Sequence, residues 1–205
     1  MSTCRFIDDI RSCRVILASG SPRRRELLAD MGVDFVVDVP EDVDESIDDD
    51  IAAIDVAPSL ALRKAEAYRE LRGIDENTLV IAADTVVILN NKVLGKPANE
   101  DEARAMLGEL SGKTHQVVTG VCVASNGVCC VRKEVTDVTF AELSDDEIEY
   151  YVSKYQPMDK AGAYGIQEWI GYIGILQISG DYYNVMGLPL RLLYEMLTSV
   201  RVLRP

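Results

Sequence analysis

The chain has 205 residues, of which 48% are hydrophobic, so it is long enough to bury one sizeable core. Its 34 acidic residues outnumber its 21 lysines and arginines, and the net charge of −13 argues against the broad basic surface that binds nucleic acids or anionic membranes. No apolar run approaches the ~20 residues of a membrane span, and charged residues interrupt the N-terminus where a secretory signal would be apolar, so we expect a soluble, cytoplasmic protein.

Residues 15–32 predict a strand that turns directly into a helix. The apolar residues 15–18 are typical of a buried strand, Ser19 and Gly20 of a tight turn, and the Ser-Pro pair that follows of a helix start, while Gly32 predicts the helix end. The free N–H groups of a first helical turn and the positive end of its dipole attract anions. Three arginines at 23–25 add further positive charge, which favours a bound phosphate over a surface helix with solvated arginines.

After a second short strand at residues 34–39, the chain carries an acidic run and a helix. Seven of the ten residues 41–50 are acidic, a composition typical of a solvated loop. Apolar periodicity predicts a helix over residues 58–72, which Gly73 ends. Lys64 lies beside its apolar face, where a lone lysine is ordinarily exposed to solvent.

The most apolar run, residues 79–89, predicts a central strand that is buried on both faces. An aspartate in its middle is costly unless it is paired, hydrogen-bonded or bound to a metal. Asp84 is therefore the best catalytic candidate, and a structural hydrogen bond to a neighbouring loop is the alternative. Two asparagines then predict a tight turn, after which Lys96, between a glycine and a proline, suits a phosphate contact.

The second half of the chain predicts two more helices, a long hairpin, a glycine-rich loop and a C-terminal helix. Their predicted bounds are a helix from the Asn99 cap to 108–112, strands at 114–124 and 128–140, a helix from the Ser144 capping box to about 153, a loop at 159–167, and a helix from Pro189 to about 199. The loop lets the backbone approach a ligand closely, and Gln167 in it offers both a donor and an acceptor.

Neither the histidine nor the cysteines indicate a metal site. His115 is the single histidine and stands at the start of a predicted strand, where a structural role is more common than metal binding. The five cysteines form an odd set without CxxC spacing, which favours free thiols over disulfides or zinc ligands.

Five segments in order resemble the signatures of the Maf family, whose members are nucleoside triphosphate pyrophosphatases named for bacterial septum formation. The segments are LASGSPRRRELL at 17–28, AADTVV at 82–87, LGKP at 94–97, KAGAYGIQ at 160–167 and GDYYNVMGLP at 180–189. The resemblance implies an α/β fold with a curved mixed sheet flanked by helices and two lobes with a central cleft, similar to the inosine triphosphatase architecture. We expect a single domain of this kind over residues 15–205, preceded by an N-terminal extension at 1–14.

The resemblance also implies an activity and a set of site residues. The reaction would be hydrolysis of a nucleoside triphosphate to a monophosphate and pyrophosphate. Asp84 would accept a proton or hold Mg²⁺ or Mn²⁺, and Glu45 would share that metal. Arginine and lysine side chains would balance the negative charge of the phosphate oxygens. Other side chains would bind the rest of the substrate. The predicted substrate-binding residues are Ser19, Arg23, Arg24, Lys64, Thr85, Lys96 and Gln167.

Within the family, the sequence resembles the branch that hydrolyses dTTP and UTP. Thr85 and Gln167 can both donate and accept hydrogen bonds, as a pyrimidine edge with two carbonyls and an N–H requires. The alternatives are the branch of 7-methyl-GTP pyrophosphatases, a non-catalytic nucleotide-binding regulator of cell division, and a metal-independent phosphate-binding protein. The resemblance further implies a small-molecule nucleotide as the partner and a homodimer, and the net negative charge argues against nucleic acid and membrane as partners.

Overall fold

The computed structural model describes residues 4–41, 43–47 and 50–202. Its strands are β1 (Arg14–Leu17), β2 (Val36–Val37), β3 (Thr78–Leu89), β4 (Lys92–Leu94), β5 (Thr114–Ser125), β6 (Val128–Phe140) and β7 (Ile175–Ser179). Its helices are α1 (Arg5–Arg11), α2 (Pro22–Asp30), α3 (Ala53–Arg72), α4 (Glu100–Leu110), α5 (Asp145–Tyr155), α6 (Trp169–Gly174), α7 (Tyr182–Met186) and α8 (Leu190–Val202). In this described part of the chain, no helix is long and apolar enough to cross a membrane.

The strands form one mixed sheet, and the fold is α/β as predicted. The strand order is β2-β1-β3-β5-β6-β7, with β4 paired to β3. β1 is parallel to both of its neighbours, β2 and β3, whereas β3 and β4 are antiparallel and so are β6 and β7. The parallel register sets Leu17 beside Ile81, so the end of β1 lies next to the middle of β3.

The chain divides into two compact units. The first comprises residues 1–84, 119–134 and 187–205, and the second comprises 85–118 and 135–186. A core cluster of the first unit packs Ile16 of β1, Ala61 and Ala65 of α3, and Val80 and Ala82 of β3. That of the second unit combines residues of β3, β5 and β6 with α4, α5 and the 163–166 loop. The apolar runs of β1 and β3 are explained by burial of these strands, except at the exposed Arg14 and at the half-buried Asp84 and Thr85.

Local signals predicted the helix ends well, and two predictions were wrong in extent. The strand predicted at residues 34–39 covers only Val36–Val37, both of which are exposed, so little burial stabilises a longer strand. Both capping motifs form: Asn99 accepts a hydrogen bond from the Glu102 N–H, and Ser144 and Glu147 make a reciprocal capping box. The helix predicted to start at residue 58 instead begins at Ala53 and carries Pro58 inside it. The sequence did not predict α1, α6, β7 and α7, nor two short 3₁₀ helices, Pro157–Asp159 and Ala161–Ala163, at the start of the glycine-rich loop.

Pro58 is tolerated inside α3 at a place where the helix backbone meets β5. A Cβ atom added to Gly120 would lie 2.3 Å from the Pro58 nitrogen and 2.4 Å from the Ala57 carbonyl oxygen. Only glycine allows this approach, because any larger residue would push the helix away from the strand. Position 120 therefore helps to set where α3, and with it Lys64, lies in the first unit.

His115 is part of the core of the second unit, in agreement with the structural role that we assigned to it. The side chain is 1% exposed, its Nε2 lies 2.8 Å from the Tyr164 hydroxyl oxygen, and its ring meets those of Tyr164 and Phe140 edge to face. Burial lowers the pKa of His115 to about 4, against a weaker raising effect of the Asp137 charge.

This depressed pKa predicts a loss of stability in acid. An unfolded histidine has a pKa of about 6.5, so below that pH the unfolded chain binds a proton that folded His115 does not. The stabilisation is complete above about pH 6.5 and is lost as the pH falls towards the folded pKa. Urea unfolding should show that wild type loses about 2 to 3 kcal/mol more than His115→Gln between about pH 7 and pH 4.5. If the free energy of unfolding of the two proteins depends on pH in the same way, the pKa of His115 is not lowered by burial.

Candidate active site

The corner between β1 and α2 is built as the sequence indicated, with Ser21 at the N-cap and Pro22 in the first turn of the helix. Ser19 is buried, and its Oγ accepts hydrogen bonds from the Ser21 N–H and from Arg24 Nη1. Arg23 is half-buried and Arg25 is exposed. The first turn of α2 therefore starts beside Ser19 and Arg24, and the N–H groups and positive dipole end of a helix N-terminus suit an anion.

Arg24 ties the corner to two other segments of the first unit. Its Nη1 donates to the Ala83 carbonyl oxygen at 2.8 Å, and its Nε donates to the Gly187 carbonyl oxygen at 2.8 Å. Burial lowers the pKa of Arg24 from its usual value, and the negative charges of Asp84 and Glu45 oppose that shift. An arginine stays protonated under such a shift. Its positive charge therefore lies at Ala83, the residue before Asp84.

Lys64 brings Asp84 and Glu45 together. Its Nζ lies 2.6 Å from Asp84 Oδ1 and 2.9 Å from Glu45 Oε1. The Lys64 and Asp84 side chains are only 14% and 16% exposed, whereas Glu45 is 52% exposed on the acidic loop. The ammonium group explains how an aspartate is accommodated in the middle of a buried strand. Lys64 thus departs from the solvent-exposed position that a lone helical lysine ordinarily takes.

Asp84 and Glu45 have the chemistry of ligands for the divalent cation that the sequence led us to expect. Magnesium is commonly held by one or two carboxylates, with phosphate oxygens and water completing its shell. Asp84 and Glu45, gathered on one ammonium group, match that donor set. Among the described residues, no group of three or more His, Cys, Asp or Glu side chains could hold a metal ion by itself. The donor set therefore fits a metal whose coordination is completed by substrate. Asp42, Asp48 and Asp49 of the predicted acidic loop lie outside the described residues.

The remaining predicted site residues belong to the second unit. Thr85 follows Asp84 on β3 and is half-buried, and Lys96 is exposed just after β4. Gln167 is half-buried, its backbone carbonyl accepts a hydrogen bond from the Tyr172 hydroxyl, and its side-chain Oε1 is buried without a partner among the described residues. A buried acceptor of this kind costs about 1–3 kcal/mol unless a ligand or water satisfies it.

Some residues that shape these sites were not identified from the sequence. The Gly187 carbonyl, which accepts from Arg24, lies 163 positions along the chain from it. In the second unit, Glu168, which follows Gln167, contacts both Tyr151 and Lys160. The one sequence signal for this group was Lys160, which stands just before the glycine-rich segment. Its role is visible only in the structure, where it pairs with Glu168.

Comparison with known proteins agrees with the predicted family. A model of the family described as "Maf-like protein" matches residues 14–200. The chain is 52% identical over 195 residues to the dTTP/UTP pyrophosphatase of Phocaeicola vulgatus, covering 95% of this chain and 100% of that protein. It is 52% identical over 189 residues to the protein of that name from Bacteroides thetaiotaomicron, covering 92% and 97%.

More distant relatives agree in name, and the similarity to solved structures is weaker. The dTTP/UTP pyrophosphatase of Flavobacterium johnsoniae is 42% identical over 194 residues, covering 94% of this chain and 98% of that protein. A HAM1 protein from Coxiella burnetii, of known structure, matches with a TM-score of 0.47 and 18% identity, covering 91% of this chain and 99% of that one. That score is too low to establish a shared fold. The match to the family model and the identity to the relatives extend over nearly the whole chain, which therefore belongs to the Maf family.

Proposed function

We propose that the chain hydrolyses dTTP and UTP to the nucleoside monophosphate and pyrophosphate. The observation that carries the proposal is the grouping of Asp84, Glu45 and Lys64 in the unit that also holds the anion-binding corner. Relatives that are 52% identical bear the name dTTP/UTP pyrophosphatase, which supports the same activity. We further propose that the protein is cytoplasmic and homodimeric, and that residues 15–205 act as one domain.

In the proposed reaction, water attacks a phosphorus atom whose oxygens are negatively charged. The corner N–H groups and Arg23 would bind those oxygens, and we also assign Lys96 to a phosphate contact. Arg24 would contribute its charge while it holds Ala83, next to Asp84, in place. Asp84 would accept the proton of the attacking water, and Lys64 would keep its carboxylate oriented. Asp84 and Glu45 would hold a bound Mg²⁺ or Mn²⁺, which supplies charge neutralisation and a more acidic water.

Selection of the base is assigned to Gln167 and Thr85. Uracil and thymine present an N–H between two carbonyl groups, whereas the same position of cytosine is an acceptor. The Gln167 Oε1, which has no hydrogen-bond partner in the described part of the chain, is an acceptor that can satisfy this N–H. When the wrong base is bound, this acceptor has no hydrogen-bond donor, and the lost hydrogen bond discriminates strongly against that base.

The first prediction from this proposal concerns the products. The chain lacks the Walker-type glycine loop that accompanies transfer of a terminal phosphate, so we expect cleavage between the α and β phosphates. Incubation of the purified protein with dTTP and Mg²⁺ should release dTMP and pyrophosphate in equal amounts. Release of single phosphate with dTDP left behind would contradict the assignment. Nucleotide binding without turnover would instead favour a regulatory role.

A further inference from the structure

An ion pair between a buried lysine and a half-buried glutamate, contacted by a tyrosine, lies next to Gln167 in the second unit. Lys160 Nζ is 3.0 Å from Glu168 Oε1, and the Tyr151 hydroxyl donates to Glu168 Oε2. Lys160 is 7% exposed and Tyr151 is fully buried. Asp159 is a second partner of Lys160, at 2.8 Å. Taking such charges out of water costs several kcal/mol, so the pair is weak evidence for stability and suggests another use.

The same groups hold the backbone of the loop that carries Gln167. The Gly165 N–H donates to the Tyr151 hydroxyl oxygen at 3.1 Å. Glu168 packs against Gly165 so closely that an added Cβ would lie 2.9 Å from the Glu168 Cδ. The Tyr151 hydroxyl thus joins the loop backbone to the Glu168 carboxylate, and Lys160 balances that carboxylate. Because Gln167 lies between Gly165 and Glu168 in the chain, its backbone is held on both sides.

A second contact fixes the start of the loop. The Gly162 N–H donates to the Gly95 carbonyl oxygen at 3.0 Å, and Gly162 has a φ of +67°. A Cβ there would lie 2.9 Å from Val87 Cγ2, so the loop is pressed against β3. Residues 162–168 are therefore held at several points, and the Gln167 Oε1 is left as a buried acceptor.

Rigidity of this loop has a chemical consequence for base selection. A glutamine amide carries an acceptor and donors on one flat group, and rotation exchanges their positions. A Gln167 that could shift or rotate would satisfy cytosine nearly as well as uracil. Discrimination between the two bases therefore requires that the amide be held in one place.

We propose that Tyr151, Glu168 and Lys160 form a positioning network that holds the 162–168 loop in place, and thereby sets the preference of Gln167 for uracil and thymine over cytosine. The inference rests on the proposed function, in which Gln167 binds the base. None of the three side chains needs to touch the nucleotide. They affect the selectivity of the reaction by fixing the position of Gln167.

The test removes a single hydroxyl group. Tyr151→Phe deletes the oxygen that joins the Gly165 N–H to Glu168, and Tyr155→Phe is a matched control on the same helix, with its ring stacked on that of Tyr151. We expect Tyr151→Phe to lower the ratio of kcat/KM for dTTP to that for dCTP about tenfold, which corresponds to about 1.4 kcal/mol, while Tyr155→Phe leaves it unchanged. A purely structural role would reduce the yield of folded enzyme and leave the ratio intact, and that outcome would overturn the proposal.

A measurement without turnover separates this inference from the proposed function. Amide hydrogen exchange should become faster at Gly165 and Glu168 in Tyr151→Phe and stay the same in Tyr155→Phe. Unchanged exchange in Tyr151→Phe would refute the positioning network even if wild type prefers dTTP. If wild type instead cleaves dCTP and dTTP equally, the assigned base preference fails, and the claim that the network controls selectivity fails with it, whereas altered exchange would still support the restraint on the loop.

Discussion

Replacing Asp84 by asparagine should lower kcat about a thousandfold or more and leave nucleotide affinity nearly unchanged. Asparagine keeps the shape of the side chain and its place on β3 but loses the charge that pairs with Lys64. The variant can neither accept a proton from water nor contribute an anionic metal ligand, and each of those roles supplies at least about a hundredfold in comparable sites. Single-turnover kinetics and calorimetric binding of a non-hydrolysable dTTP analogue would separate the two effects.

Asp38→Asn provides the matched control. Asp38 follows β2 in the same unit and is also paired, accepting a hydrogen bond from the Tyr68 hydroxyl and facing Arg72. Its replacement should change stability slightly and leave kcat within a few-fold of wild type. Near-normal turnover by Asp84→Asn would make Asp84 a structural aspartate, which is the alternative that its buried position left open.

A panel of nucleotides should show kcat/KM for dTTP, UTP and 5-substituted uridine triphosphates at least about a hundredfold above that for ATP and GTP. The reason is the proposed hydrogen bond from the base N–H to Gln167 Oε1, which is buried without a partner among the described residues and would lose that bond when the base offers no N–H in the right place. Small groups added at the 5 position leave that hydrogen bond intact, so their effect should be modest. Equal rates on purines, or a preference for 7-methyl-GTP, would reject the assignment and favour the second branch of the family.

Gln167→Ala should remove most of this preference while retaining catalysis. Loss of the amide should lower kcat/KM for dTTP about tenfold to a hundredfold, with a smaller effect on ATP, because only the correct base uses that hydrogen bond. Gln177→Ala is a suitable control, since Gln177 is an exposed glutamine of β7 in the same unit. If both variants keep the preference of wild type, base selection lies elsewhere, and Thr85 becomes the next residue to substitute.

The sequence by itself determined the features that depend on neighbours along the chain. The capping residues Asn99 and Ser144 act on groups three positions away, and Asn90 and Asn91 make a tight turn between adjacent strands. The long apolar run of β3 required a buried strand, and an aspartate within it required a partner. Those requirements, together with the resemblance in five segments, were sufficient for the family and the α/β class.

Only the tertiary structure decided which groups meet across the chain. The ammonium of Lys64 meets Asp84 and Glu45 because α3 packs against β3, and Arg24 reaches Gly187 through a fold that no local pattern specifies. Pro58 lies inside α3 next to Gly120 of β5, a contact between elements that are distant in the sequence. Contacts between distant residues depend on how whole elements pack, and packing arises from the burial of many side chains together, so such contacts are not encoded in any short segment of the sequence.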